Sequence, residues 1–247
     1  KYDLKVDFVW HFASHASPFN YIKNPIESSR TNFLGTLNTL NLARSSNAKF
    51  IFTSSSEIYG FTEKFPLLET DWGIVNPNGV RSCYVEGKRI AESLVFDFER
   101  VHGLDICVAR IFNTYGPRMR KRDRRVISEF IFNALNNKDL KIFGNGEQTR
   151  SFCYVDDTIN GLLNLAFEKS SGPINIGSTE EISIHKLAEI IIKKLNSKSK
   201  IVYETGRKDE PIRRCPSIDK VKDICGWKPT INLDMGLNKT INILKNY

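Results

Sequence analysis

The 247-residue chain is 40% hydrophobic and 26% charged with ordinary Gly and Pro content, which supports a sizeable globular core and excludes a disordered, collagenous or fibrous chain. Its longest apolar runs, Leu162 to Phe167 and Ala188 to Ile192, fall well short of the roughly 20 residues that cross a bilayer, so no spanning helix is expected. The net charge of +8 invites a nucleic-acid reading, yet more than half of it sits between Arg118 and Arg125, a cluster without interleaved aromatics that suits a phosphate-bearing small molecule or a solvated loop.

Along the chain, Val6 to Phe12 reads as a short buried strand ending in the small residues Ala13 and Ser14. Pro25 then opens a helix that runs to about Ser46, with Leu34, Leu37, Leu40 and Leu42 supplying an apolar face. Lys49 to Ser54 is a second strand, Ser82 to Val101 a second helix, and Asp105 to Phe112 a third strand. Strands alternating with helices over short connections predict a parallel sheet covered on its faces by helices. Beyond Pro117 the elements shorten: a helix at Val126 to Asn136, a strand at Leu140 to Phe143, and a turn at Gly144 to Gly146. A helix from Asp156 to Phe167, a strand from Pro173 to Ile176, and a helix from Ile184 to Leu195 follow. The tail carries a strand from Ile201, an Arg-rich loop and a final helix near Met235 to Leu244. The pattern is a nucleotide-type α/β domain followed by a smaller α+β lobe, and ligands of such sheets bind beyond the carboxyl ends of the strands.

Five scattered cysteines, none in a C-x-x-C pair, predict reduced thiols and no metal site. With no leader legible at the N-terminus, the expected location is the cytoplasm.

Tyr84 and Lys88 lie four apart on the predicted helix, so both side chains share one face. A phenol titrates near 10 in isolation, and a neighbouring cation would favour the phenolate, which makes Tyr84 a candidate general base. Alone, a Tyr and Lys at this spacing is a weak signal. Ser55 and Glu57 at the end of the preceding strand strengthen it, because a hydroxyl there can share a substrate proton with the phenol. His11 reads as a packed strand-end histidine, and Gly144 and Gly146 as a simple turn.

Several phrases carry a resemblance: His11-Phe-Ala-Ser14, Thr53-Ser-Ser-Ser-Glu57 with Tyr59-Gly60, Ala109-Arg-Ile-Phe-Asn113-Thr-Tyr-Gly-Pro-Arg118, and Gln148-Thr-Arg150-Ser-Phe-Cys-Tyr154. Together with Asn76 to Arg89, which includes Cys83-Tyr84-Val-Glu-Gly-Lys88-Arg89, they make the chain resemble the extended short-chain dehydrogenase/reductase (epimerase/dehydratase) family acting on nucleotide sugars. The UDP-glucuronate decarboxylase branch is the most similar. The resemblance implies an α/β fold, a Rossmann-like parallel sheet with a smaller α+β substrate-binding lobe. Residues 1–117, with a return segment 151–177, would be the remnant of the NAD-binding domain. Residues 118–150 and 178–247 would form the substrate lobe.

It implies NAD as cofactor, held by Phe12, Ala13, Ser14, Thr31, Thr53, Tyr84 and Lys88. The implied catalytic residues are Ser55, Glu57, Tyr84, Lys88 and Arg214. The nucleotide-sugar substrate, UDP-glucuronate, would be bound by Arg30, Asn113, Arg125, Gln148, Arg150, Tyr154 and Arg214, where guanidinium forks suit phosphate and carboxylate oxygens. Of the Arg118 to Arg125 run only Arg125 is assigned to the ligand, the rest being expected in a solvated loop. The related 4,6-dehydratases resemble one another in an Asp-Glu pair where this chain has Ser56-Glu57, which argues against water elimination, and the simple 4-epimerases usually lack the Glu. A homodimer is implied, built through a four-helix bundle of the helices Thr31 to Ser46 and Ser82 to Val101, with no nucleic-acid or membrane partner.

One departure stands out. The family opens with a Gly-x-x-Gly-x-x-Gly turn that this sequence lacks, so a segment of roughly 80 residues is expected to be missing, the chain alone is expected to be inactive, and Val6 to Phe12 is expected as an exposed edge strand. The alternatives left open are another epimerase or dehydratase of the family, or a non-catalytic fragment that binds nucleotide sugar beside a separate chain.

Overall fold

The computed structural model describes residues 4–169, 172–206 and 209–245. A four-stranded parallel sheet in the order β1 (Phe8–His11), β2 (Lys49–Ser55), β3 (Ile106–Ile111), β8 (Pro173–Ile176) forms its centre. The register pairs Phe8 with Lys49, Phe50 with Ile106 and Val108 with Pro173.

The segment between β1 and β2 holds α1 (Pro18–Lys23), which the sequence reading missed, then α2 (Pro25–Arg30) and α3 (Thr36–Ser46). The single helix expected from Pro25 is interrupted by a widened π turn at Thr31–Gly35, across which the backbone stays helical. Asn47 in the left-handed region ends α3. The connection to β3 is α4 (Ser82–His102), stopped by Gly103 at a positive φ.

Both faces of the sheet are buried, which explains the near-continuous apolar runs of its strands. On one face Leu40 and Ala43 of α3 and Ala91 and Val95 of α4 pack on Phe50, Phe52 and Val108. On the other, Leu162 and Leu165 of α6 (Val155–Phe167) and Val221 of α8 (Asp219–Cys225) pack on Ile51, Ala109 and Ile174. The expected edge strand is only half uncovered: Val9 is buried under α3, whereas Phe12 is 52% exposed.

Between β3 and α6 come β4 (Thr114–Tyr115), α5 (Val126–Leu135), β5 (Leu140–Phe143), β6 (Thr149–Ser151) and β7 (Cys153–Tyr154). After β8 follow β9 (Glu181–Ser183), α7 (Ile184–Leu195) and β10 (Ile201–Glu204), with α9 (Leu233–Leu244) closing the chain after α8. The lobe has its own core, in which Ile127 and Ile131 of α5, Leu187 and Ile191 of α7, and Leu237 and Ile241 of α9 meet Leu140 and Ile142. The structure corrects the expected division at residues 178–247: Ile218, Val221 and Trp227 belong to the core of the main sheet, and the Trp227 indole donates to the Asp157 carbonyl at 3.0 Å. No described helix is long and apolar enough to cross a membrane.

Candidate active site

A cleft of about 1160 Å³ opens beyond the carboxyl ends of β2 and β3 and is walled on its far side by the lobe. Its floor is the end of β2, where the chain passes from Thr53 through Ser55 into a short 3₁₀ turn at Ser56–Tyr59. The Ser55 hydroxyl caps that turn by accepting from the Glu57 N–H at 3.2 Å. Gly60 then turns the chain away at φ 54°, where a Cβ would lie 1.9 Å from the Ile74 carbonyl oxygen.

Tyr84 enters the cleft from the first turn of α4 and is buried. Its ring stacks on Tyr21 of α1, centroids 5.0 Å apart and planes 7° from parallel. Burial pushes the Tyr84 phenol above its ordinary value, while hydrogen bonding by the Ser55 hydroxyl and the charges of Arg125 and Arg81 pull it down. The expected effect of Lys88 on this phenol is corrected here. Lys88, only 3% exposed, donates to the Thr53 carbonyl at 2.7 Å and lies over the Phe52 ring at 4.9 Å. Desolvation lowers the ammonium to about 7, with Glu92 acting against that fall. His11, behind it, is lowered to about 4 by burial and then by the Lys88 charge, and its Nε2 lies 3.0 Å from the Thr36 hydroxyl.

The Lys88 geometry carries a prediction. A lysine held near 7 when folded and near 10.5 when unfolded binds more protons in the unfolded state between those values. Its contribution to stability therefore rises with pH from about 7 to about 10.5. Lys88→Met should flatten that part of the Tm-against-pH curve relative to the unsubstituted protein, and identical curves would refute the buried, lowered ammonium.

Glu57 sits beside Tyr84 at the cleft wall, ion-paired through Oε2 with Nη2 of Arg81 at 2.6 Å. Burial raises its carboxyl, but Arg81 and Arg214 outweigh burial and hold it below the usual carboxylate range. Arg150 crosses from β6, donating to the Thr149 carbonyl at 2.7 Å and pairing with Glu210 at 3.4 Å. Gln148 donates to the Phe143 carbonyl at 2.7 Å. Asn113, Arg125, Gln148, Arg150 and Tyr154 all line the cleft, as do Phe12, Ser14, Thr53, Ser55, Glu57, Tyr84 and Lys88.

Four assigned residues lie elsewhere. Arg30 points to solvent beside Glu27, 3.5 Å away, and Thr31 lies in the π turn; neither lines the cleft, and nor does Ala13. Arg214 is 2% exposed and lines a small pocket behind Glu57 and Arg81 instead of the main cleft. Its Nε and one Nη have no hydrogen-bond partner among the described residues.

The basic run is also corrected. Arg118, Arg120 and Arg124 line the cleft together with Arg125, since the loop is tied down to α1. Ser17 donates to the Asp123 carbonyl at 2.5 Å, and the Arg124 guanidinium lies 4.4 Å over the Phe19 ring. Sequence reasoning missed Arg81 and Tyr21 altogether. A signal for Arg81 existed, because a residue three before Tyr84 shares its helix face.

Comparison with known proteins agrees with this geometry. The family profile described as GDP-mannose 4,6 dehydratase matches residues 2–240. UDP-glucuronic acid decarboxylase 1 of Xenopus tropicalis is 46% identical over 242 residues, covering 98% of this chain and 58% of that protein. UDP-glucuronic acid decarboxylase 3 of Arabidopsis thaliana is 47% identical over 234 residues, covering 95% of this chain and 68% of that protein. This chain thus spans about six tenths of the length of these relatives.

Among solved structures, UDP-glucose 4-epimerase of Thermotoga maritima with UDP-glucose superimposes with a TM-score of 0.91 at 28% identity, over 97% of this chain and 77% of the other. A variant of the UDP-glucuronic acid 4-epimerase of Bacillus cereus, in complex with UDP-4-deoxy-4-fluoro-glucuronic acid and NAD, gives 0.89 at 26% identity, over 98% and 76%. The α/β architecture with a Rossmann-like parallel sheet is common to them and to this chain.

Proposed function

The chain belongs to the family described as GDP-mannose 4,6 dehydratase, and from that premise we propose that it is the catalytic part of an NAD-dependent decarboxylase converting UDP-glucuronate to UDP-xylose. The observation that carries this reading is its 46% identity to a UDP-glucuronic acid decarboxylase along 98% of its own length. Ser56 supports it, since it stands before Glu57 where water elimination would need an acid.

The donor set in the cleft fits NAD: Lys88, Tyr84, Thr53 and Ser14 present an ammonium and hydroxyls suited to a ribose beside a phenol suited to a sugar hydroxyl. When bound, NAD accepts a hydride from the sugar and later returns it. The Gly-x-x-Gly-x-x-Gly turn absent from this sequence is proposed to come from the remainder of the full-length protein.

In this reading the Tyr84 oxygen takes the proton of the sugar C4 hydroxyl as the hydride leaves C4. Ser55 donates to the same phenol and orients the hydroxyl. The ketone at C4 is β to the C6 carboxylate, so the C5–C6 bond breaks with loss of carbon dioxide and its electron pair passes into the enolate across C4 and C5. Water in the cleft supplies the proton that C5 takes up, and Tyr84 gives its own proton back to the C4 oxygen. The guanidinium groups of Arg118, Arg125 and Arg150 face the cleft where the diphosphate would lie.

A homodimer belongs to the same proposal. Phe33 and Leu34 in the π turn and Ile90 and Val101 on α4 leave apolar side chains in solvent on helices that a second copy could cover.

The test supplies UDP-glucuronate and NAD to the full-length protein and follows carbon dioxide and product. UDP-xylose supports the reading. Conversion to UDP-galacturonate, without carbon dioxide release, would make the protein a 4-epimerase and overturn it.

A further inference from the structure

We propose that Arg81 is a positioning residue that keeps Glu57 as a carboxylate with one oxygen turned toward α4, so that Glu57 serves the site as an acceptor and never as a proton donor. The inference rests on the decarboxylase reading only for its kinetic consequence. Its structural part concerns the charge and orientation of one side chain.

The geometry is direct. Arg81 occupies the N-cap of α4, and its carbonyl accepts the N–H groups of Tyr84 and Val85, both at 3.1 Å. The same residue's guanidinium reaches the Glu57 carboxylate at 2.6 Å. Arg81 therefore joins the start of the helix that carries Tyr84 to the turn that carries Glu57, and any displacement of one is felt by the other. Both side chains are largely buried, where an ion pair interacts more strongly than in water and where removing one partner strands the other.

The groups facing Glu57 divide by sign. Arg81 comes from the N-cap of α4 and Tyr84 from its first turn, Tyr21 from α1, Arg150 from β6, and Arg214 from the segment after β10, where Glu210 in turn acts on Arg81 and Arg150. Three guanidinium groups thus surround the carboxylate, of which Arg81 is the one in hydrogen-bond contact. Arg150 is partly claimed by Glu210. Arg214 acts on Glu57 through its charge, and its Nε and one Nη have no hydrogen-bond partner among the described residues.

The chemical consequence concerns protons. An ionised Glu57 has no proton to give, so it acts at the site only as an acceptor, and the protons that return to the sugar come from other groups.

The test uses the full-length protein with Arg81→Met and Arg81→Lys. Glutamate labelled with carbon-13 at Cδ is titrated by NMR, and the Glu57 resonance is the one lost in Glu57→Gln. The Glu57 midpoint should rise by about 1–3 pH units in Arg81→Met, as expected when an adjacent opposite charge is removed, and stay near its native value in Arg81→Lys. With UDP-glucuronate, the acid limb of kcat against pH should shift upward in the same variant and by a similar amount, with KM changed less. An unmoved Glu57 midpoint in Arg81→Met overturns the proposal. So does equal loss of kcat at every pH in both variants, which would mark Arg81 as merely structural. If the native protein releases no carbon dioxide at any pH the decarboxylase reading fails, whereas the NMR titration still decides the Arg81 clamp. Should Arg81→Met not fold, Arg81→Gln, which keeps an amide donor without charge, must give the same upward midpoint or the clamp is refuted.

Discussion

Replacing Tyr84 with phenylalanine should lower the turnover of UDP-glucuronate by a factor of about a hundred or more in the full-length protein, with KM little changed. The substitution removes only the hydroxyl. The phenylalanine ring keeps its place on Tyr21, whose plane lies 7° from that of Tyr84, so substrate positioning by the α4 start is retained. What disappears is the group proposed to hold the C4 proton during the reaction. Burial holds the phenol above its ordinary value, and the hydrogen bond of Ser55 with the charges of Arg125 and Arg81 opposes that rise. Steady-state kinetics at saturating NAD reads the result. Near-native kcat would return the proton to the Ser55 and Glu57 side of the cleft.

The largest effect on stability is expected from Glu92→Leu, about 3–5 kcal/mol by urea denaturation. Glu92 on α4 accepts from Arg110 of β3 at 2.6 Å and from the Ser54 hydroxyl of β2 at 2.5 Å, and Glu92 and Arg110 are both buried. Arg110 also donates to the Tyr59 hydroxyl at 2.9 Å, which in turn donates to Asn175 of β8 at 2.6 Å. Removing the carboxylate leaves a guanidinium without its counter-charge in the middle of the fold. The double variant Glu92→Leu with Arg110→Met should recover most of the loss, because the guanidinium is then no longer stranded. A single-variant cost below about 1 kcal/mol would show that water reaches Arg110 and that the network contributes little.

How far the site could be read from the residues depended on the kind of signal. Tyr84 and Lys88 share a helix face by spacing alone, and Ser55 and Glu57 follow from the end of a strand, so their meeting in one cleft needs only the general rule that ligands bind beyond strand ends. Arg81 lies within the Asn76 to Arg89 phrase, but neither the phrase nor its spacing from Tyr84 names its partner. Its role appears only when the turn after β2 places Glu57 within 2.6 Å of its guanidinium. The spacing predicts that Lys88 lies near the Tyr84 phenol, yet i and i+4 fixes a shared face and not where a flexible four-carbon chain ends; here the ammonium turns to the Thr53 carbonyl.

By itself the sequence determined the alternation of strands and helices, since apolar runs of strand length and 3.6-residue periodicity are local properties of the chain. It also determined the lobe helices at Val126, Ile184 and near the C-terminus, each with one apolar face. Tertiary structure alone decided that α8 leaves the lobe to cover the main sheet, because burial of Val221 and Trp227 depends on which apolar surface lies nearest in space. It alone turned the Arg118 to Arg125 run from a solvated loop into a cleft wall, through Ser17 and Phe19 holding that loop from a helix a hundred residues earlier in the chain. Contacts of that separation leave no periodicity in the residues that make them, and so they become legible only once the chain has closed on itself.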